Sequence, residues 1–356
     1  MRNLSGGQVA RSRVIISDGM ATFAGVPSTG TGGVQALVDR LRGGDVRALS
    51  RAVSLVENNS REAAAVLSAC FPYTGNALRI GLTGAPGSGK STLVDKLARL
   101  YRAEKETVGI VAVDPTSPYT GGAILGDRIR MQGHDGDPGL YIRSMATRGF
   151  LGGLASATAD VASVLEASGK SRLLIETVGV GQDEVDIVRL ADVTVVVLVP
   201  GLGDDVQSIK AGILEIADIF VVNKSDRDGA DRVEREIRTM QSLGAHREGW
   251  VPPVIRTIAN TGEGVAALVA AIDRCVTWLR QDNELEERRV RAWNQRLLEM
   301  IRQRLTLELV HRRLGGESLQ GRARAVADRR EDPYRLVERL TGELLQPEAA
   351  AAGMQE

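Results

Sequence analysis

The chain has 356 residues, enough for one large domain with an appendage, and its 45 Lys and Arg offset 45 Asp and Glu. That balance removes the global basic field expected of a nucleic-acid binder. Two distant cysteines, Cys70 and Cys275, and three histidines give neither a disulfide framework nor zinc-ligand spacing, and no apolar run reaches membrane-spanning length. The expectation is a cytoplasmic protein that binds neither nucleic acid nor membrane.

Residues 1–34 are rich in Gly, Ser and Thr, lack the layout of a secretory signal, and read as a disordered extension. Over 35–76, Leu37, Leu41, Val46, Leu49, Val53 and Val56 recur mostly at three- or four-residue steps, with a break at Gly43-Gly44-Asp45. Two or three helices are expected there. Residues 77–282 change character. Short β-branched or apolar runs at 78–83, 107–113, 172–175, 193–199, 219–222 and 254–258 alternate with helical patterns at 92–100, 154–167, 204–216, 230–243 and 265–279. Continuous apolar strands separated by helices predict an α/β fold, a mostly parallel sheet flanked by helices, with helical N- and C-terminal extensions. Residues 283–346 form an Arg-rich helical arm broken at Gly315-Gly316, with a last helix at 333–345, and 347–356 read as a flexible tail. Leu297, Leu298, Ile301, Leu305, Leu309 and Val310 make an apolar stripe on that arm, suited either to docking on its own domain or to dimerisation.

The chemistry concentrates where strands end. Gly84, Ala85, Pro86, Gly87, Ser88, Gly89, Lys90 and Ser91 spell G-x-x-x-x-G-K-S between the first strand and a helix that takes in Thr92. Glycines let backbone N–H groups turn inward at phosphates, and the helix N-terminus adds partial positive charge. Lys90 suits the β/γ oxygens and the Ser91 hydroxyl suits Mg²⁺. A nucleoside triphosphate is therefore expected. Asp114 closes the second strand before Pro115, as a carboxylate for Mg²⁺ or as a turn cap. Asp127, next to Arg128, offers a second carboxylate in a candidate switch segment. Glu176 ends the strand at 172–175 and suits a Mg²⁺-bound water, with the Gly179 N–H placed for the γ-phosphate. Gln182 either orients the attacking water or is simply solvated.

Asn223-Lys224-Ser225-Asp226 follows the apolar run 219–222 and matches the Asn-Lys-x-Asp pattern for guanine. The Asp226 carboxylate can accept from N1–H and the exocyclic amine, and adenine offers neither donor pair. Ala259, Asn260 and Thr261, after the last strand, suit a loop closing over the base by backbone contacts. GTP and GDP are the expected ligands, with GTP hydrolysis as the reaction.

Together these residues resemble the MeaB/ArgK/MMAA family of P-loop GTPases, within the signal-recognition-particle-like class. The similarity runs from about residue 37 to 340 and rests on stretches 81–91, 113–118, 126–131, 144–149, 176–182 and 203–212. It implies a homodimeric GTPase chaperone of an adenosylcobalamin-dependent acyl-CoA mutase, most often methylmalonyl-CoA mutase, which gates cofactor loading from a cobalamin adenosyltransferase. It also implies a Mg²⁺ sphere of Ser91, Asp114, Asp127 and Glu176, direct or through water. A further switch at 204–210 would carry Lys210 towards the phosphates when the mutase docks; without the resemblance Lys210 reads as an exposed helix lysine. The arm from about Asn283 resembles the family's dimerisation region. Two departures stand out: Phe150 where His is frequent, and Asp183 where Ser is frequent. The competing readings are a nickel-delivery GTPase of the HypB type, a transport-associated kinase of the ArgK label, and a nucleotide-gated binding module with negligible turnover.

Overall fold

A computed structural model of the chain describes residues 31–114, 136–146, 153–177, 187–201, 215–243, 249–281, 283–313 and 319–345. The apolar runs Leu78–Thr83 (β1), Val108–Asp114 (β2), Leu140–Ala146 (β3), Arg172–Glu176 (β4), Val193–Leu198 (β5), Ile219–Asn223 (β6) and Val254–Thr257 (β7) form one sheet. Its order is β3-β2-β4-β1-β5-β6-β7 and every pairing is parallel. The central β5 and β6 are buried throughout, which is why they read as unbroken apolar runs and show no alternation.

Helices cover both faces. Lys90–Ala103 (α4) and Val265–Gln281 (α7) pack Leu93, Leu97, Leu268 and Ile272 on Ile80, Leu82 and Leu174. On the other face, Gly153–Ala167 (α5) joins the N-terminal helices Thr31–Arg42 (α1), Val46–Glu57 (α2) and Ala63–Cys70 (α3) around Val38, Val53, Val66, Val161 and Leu165. Farther along that face, Ala230–Leu243 (α6) lays Val233 and Ile237 on Val196, Phe220 and Val222. The break at Gly43-Gly44-Asp45 is a helix junction. Asp45 caps α2 by accepting from the N–H groups of Arg47 and Ala48 at 2.9 and 3.1 Å, and the Ala48 contact leads the causes that hold its carboxyl below the usual range.

Three features differ from expectation. Strand β3 was not foreseen, because Arg143 and Ser144 interrupt its apolar run; Arg143 instead pairs with Glu57 of α2. Helix α1 begins at Thr31, inside the stretch expected to be an extension. The arm is Glu284–Arg313 (α8), Leu319–Ala327 (α9) and Pro333–Leu345 (α10), of which α9 was not expected. Most of the helical pattern at 204–216 lies outside the described residues. Among the described residues, no helix is long and apolar enough to cross a membrane.

The arm is fastened to the end of the sheet opposite the phosphate loop. Asp192 precedes β5 and Asp218 precedes β6; their carboxylates accept the N–H groups of Arg79 and Thr194 respectively, each at 2.9 Å. The same two carboxylates receive consecutive arginines of α8. Arg288 bonds both oxygens of Asp218 at 2.9 Å, and Arg289 bonds both oxygens of Asp192 at 2.9 and 3.0 Å. Arg296, one helical stretch on, pairs with Asp160 of α5. Removing one member of such a buried pair leaves its partner's charge uncompensated. Asp218→Ala is therefore expected to destabilise the fold by about 3–5 kcal/mol, read from the denaturant midpoint, with Asp218→Asn costing less because it still accepts the Thr194 N–H.

Candidate nucleotide-binding site

The motif-bearing segments that are described gather at the carboxyl ends of the strands, where open parallel sheets place ligands. Residues 84–89 turn from β1 into α4. Gly84 has φ +139°, and a Cβ there would lie 2.1 Å from the Val197 carbonyl oxygen; Gly89 has φ +91°, and its Cβ would lie 2.4 Å from Asn223 Nδ2. Any larger residue at either position collides with backbone or with a fixed amide, so the loop's shape requires both glycines. The Ser88 N–H donates to the Ala85 carbonyl at 3.1 Å and tightens the turn, which leaves Pro86 and Gly87 exposed at its tip.

Lys90 and Ser91 open α4 and both are buried. The Lys90 ammonium donates to the carbonyls of Gly84 and Ala85 at 2.7 and 3.0 Å, so its charge is folded over the loop. Ser91 Oγ donates to Glu176 Oε1 at 2.7 Å. Glu176 ends β4 opposite Leu82 of β1, and this register brings the two motifs together although 85 residues separate them. Thr92 follows on the same helical turn and is half-buried. Asp114 is the last residue of β2, in register with Ala146.

Asn223 is the hub of the site. Its amide nitrogen donates to the Ser88 carbonyl at 2.8 Å; its amide oxygen accepts from the Ala259 N–H at 3.0 Å and the Thr257 hydroxyl at 3.1 Å. Lys224, held at φ +54°, donates its ammonium to the Gly87 carbonyl at 2.8 Å. Both residues, expected from the guanine motif as nucleotide contacts, thus brace the phosphate loop from outside. Asp226 is exposed beyond the turn, which the Ser225 N–H ties to the Thr257 carbonyl at 3.1 Å. After β7, Ala259 is buried while Asn260 and Thr261 are exposed, and the loop closes on itself by hydrogen bonds from Thr261 and Gly262 to the Ile258 carbonyl. Thr257 was missed from sequence. A hydroxyl ending a short β-branched strand just before a loop expected at the base was the available signal. Asp127, Gly179, Gln182 and Lys210, with the departures Phe150 and Asp183, lie outside the described residues.

A glycine-bent loop opening a helix, a lysine and serine at its start, and an Asn-Lys-x-Asp turn bound to that loop define a phosphate-loop GTPase. The family model described as Methylmalonyl Co-A mutase-associated GTPase MeaB matches residues 49–313. A Pyrococcus horikoshii protein, provisionally named a GTPase, is 52% identical over 259 residues, spanning 72% of this chain and 82% of its own. GTPase ArgK of Escherichia coli is 34% identical across 79% of this chain and 86% of its own, and the mouse protein named Methylmalonic aciduria type A homolog, mitochondrial, is 36% identical across 74% and 70%. A crystal structure of an LAO/AO transport system kinase shares the fold, with TM-score 0.66 and 24% identity over 89% of this chain and 99% of that one. The chain belongs to the MeaB family of GTPases, and that membership implies guanine-nucleotide binding.

The hub predicts a specific cost. Asn223→Ala removes three buried hydrogen bonds and leaves the Ala259 N–H without its acceptor. A loss of about 2–4 kcal/mol in folding stability is expected, together with a larger proportional fall in GDP affinity than in secondary-structure content. Calorimetric melting and nucleotide titration of the same sample read both.

Proposed function

We propose that this GTPase is a chaperone that couples GTP binding and hydrolysis to the loading and protection of an adenosylcobalamin-dependent acyl-CoA mutase, with methylmalonyl-CoA mutase as the first candidate. The observation that carries the GTP-dependent part is the Ser91–Glu176 hydrogen bond, which brings a helix-opening hydroxyl and a strand-ending carboxylate to one buried point beside the phosphate loop. Support for the partner comes from the family's own description and from the name of the mouse relative. The cobalamin belongs to the partner; a cobalamin adenosyltransferase would be its source.

The residues fit a magnesium ion. Two buried hard-oxygen donors, Ser91 and Glu176, stand together, and Asp114 at the end of β2 and Asp127 complete the proposed set. When bound, Mg²⁺ would offset phosphate charge. The chain's own contributions follow from chemistry. Residues 84–89 and the N–H groups of Lys90, Ser91 and Thr92 would cradle the α- and β-phosphates, and the Lys90 ammonium would turn from its carbonyls to the β/γ oxygens. Gly179 would bond the γ-phosphate, Gln182 would orient the attacking water, and Lys210 would add charge on docking of the mutase. Asp226 would read guanine under a loop of Ala259, Asn260 and Thr261.

The arm supports a homodimer. Leu297, Leu298, Ile301 and Leu305 of the stripe are exposed on α8 in the single chain, so this part of it is not consumed by docking on its own domain.

Two outcomes test this reading. Asp226→Asn should lower GTP affinity by about 100-fold or more and raise affinity for xanthosine triphosphate, measured by competition titration. In a pull-down from cell extract with a non-hydrolysable GTP analogue, the wild-type protein should retain a cobalamin-dependent mutase and Lys90→Ala should not. Recovery of a nickel enzyme instead would replace the partner assignment.

A further inference from the structure

Two polar side chains face each other at the ends of β1 and β4 with no place in the function described above. Thr83 is fully buried and Thr177 nearly so, and the Thr177 hydroxyl bonds the Thr83 hydroxyl at 3.0 Å. The Thr177 N–H also donates to the Leu82 carbonyl at 3.1 Å, continuing the β1–β4 ladder one step past Glu176. Thr83 precedes the first glycine of the phosphate loop, and Thr177 follows the carboxylate that holds Ser91.

The two faces of this seam differ. Leu82 and Leu174 belong to the cluster under α4, whereas Ile175 packs with Ile187 and Leu190 on the opposite side. Side chains alternate along a strand, so Glu176 shares the face of Leu174 and the threonine pair lies on the other. Successive positions at the end of β4 are therefore pinned on opposite faces: Glu176 to Ser91 on the α4 face, and Thr177 to Thr83 behind it. The two bonds are not equivalent. The first uses oxygens assigned above to Mg²⁺, so metal binding would compete with it. The second uses neither oxygen, so metal binding would not compete with it.

We propose that the buried Thr83–Thr177 hydroxyl pair is a positioning device, holding Glu176 at a fixed height relative to the phosphate loop so that its carboxylate meets Mg²⁺ in register with Ser91. This rests on the assignment of Ser91 and Glu176 to the metal. Groups hydrogen-bonded directly to a metal ligand change metal affinity about 10–100-fold when removed; this pair would act one step further back, through the backbone of β4, so the low end of that range is expected. Valine matches threonine in shape, and replacing both hydroxyls together leaves no orphaned polar group.

The test uses the full-length double variant Thr83→Val/Thr177→Val, Thr177→Ser, and Glu176→Gln as a reference. Fluorescent GDP affinity is measured in EDTA, then the Mg²⁺ concentration that half-slows GDP release, then kcat and KM for GTP. The double variant should keep its melting temperature and its EDTA affinity, while the Mg²⁺ midpoint rises about tenfold and kcat falls by a similar factor at nearly constant KM. Thr177→Ser, which retains the hydroxyl, should restore both. A wild-type Mg²⁺ midpoint in the double variant overturns the proposal, as does an equal loss of affinity in EDTA, or Thr177→Ser behaving like valine. If the double variant does not fold, Thr177→Val alone is read by the same midpoint with the same criteria. Should Glu176→Gln leave the midpoint unchanged, the metal assignment itself fails; should it shift the midpoint while the valine pair does not, only the positioning role fails.

Discussion

A phosphate loop is built from backbone and glycine, and such a segment has little apolar surface with which to hold its own shape. In this protein the constraint comes from the side-chain amide of Asn223, which binds the Ser88 carbonyl on one side and the Ala259 N–H and Thr257 hydroxyl on the other. Three chain segments that would otherwise move independently share one rigid planar group at the end of β6. Lys224 adds a second brace to the Gly87 carbonyl. The loop expected to hold phosphate and the loop expected to meet the purine are thus fixed relative to each other in the ligand-free chain. Preorganisation of this kind lowers the ordering cost that binding must otherwise meet.

The far end of the sheet is organised by a different chemistry. Strand N-terminal ends present N–H groups that lack ladder partners, and Asp192 and Asp218 accept those of Arg79 and Thr194. The carboxylates are nearly fully buried and would be costly alone. Arg288 and Arg289, adjacent on α8, neutralise them and in doing so set the direction in which the arm leaves the domain. Burial works against the Arg288 charge, but the hydrogen bond and charge of Asp218, together with Cys275 and Glu284 nearby, more than offset it and favour the protonated guanidinium.

The phosphate loop, the strand-ending Glu176 and the guanine motif were legible in sequence because each depends on residue type at short, fixed spacing. So was the parallel sheet, because strands buried on both faces must be apolar throughout. Strand β3 was not, since an edge strand with one face against α2 tolerates Arg143 wherever an acid such as Glu57 can reach it. The supporting hydrogen bonds were invisible for a different reason. That Lys224 would turn to Gly87, or that Thr257 would share the Asn223 oxygen, depends on residues 34 to 137 positions apart that only the folded sheet juxtaposes. Sequence spacing records local geometry well and long-range pairing only where a motif has stereotyped it.

The buried polar groups at the carboxyl ends of the strands lead to a general point about how this site is specified. Each contributes only about 1 kcal/mol net, because folding exchanges a bond to water for one to protein. The apolar clusters on the two faces of the sheet supply far more of the stability, yet apolar packing is non-directional and cannot choose the rotation of a carboxylate or the pitch of a loop. Directional bonds can, and leaving one unmade in a dry interior is penalised more than making it is rewarded. Ser91, Glu176, Asn223 and Thr257 therefore act as geometric selectors laid over a scaffold whose stability comes from elsewhere. The result is a site whose shape is expected to be more sensitive to the loss of a single hydroxyl or amide than the fold that carries it.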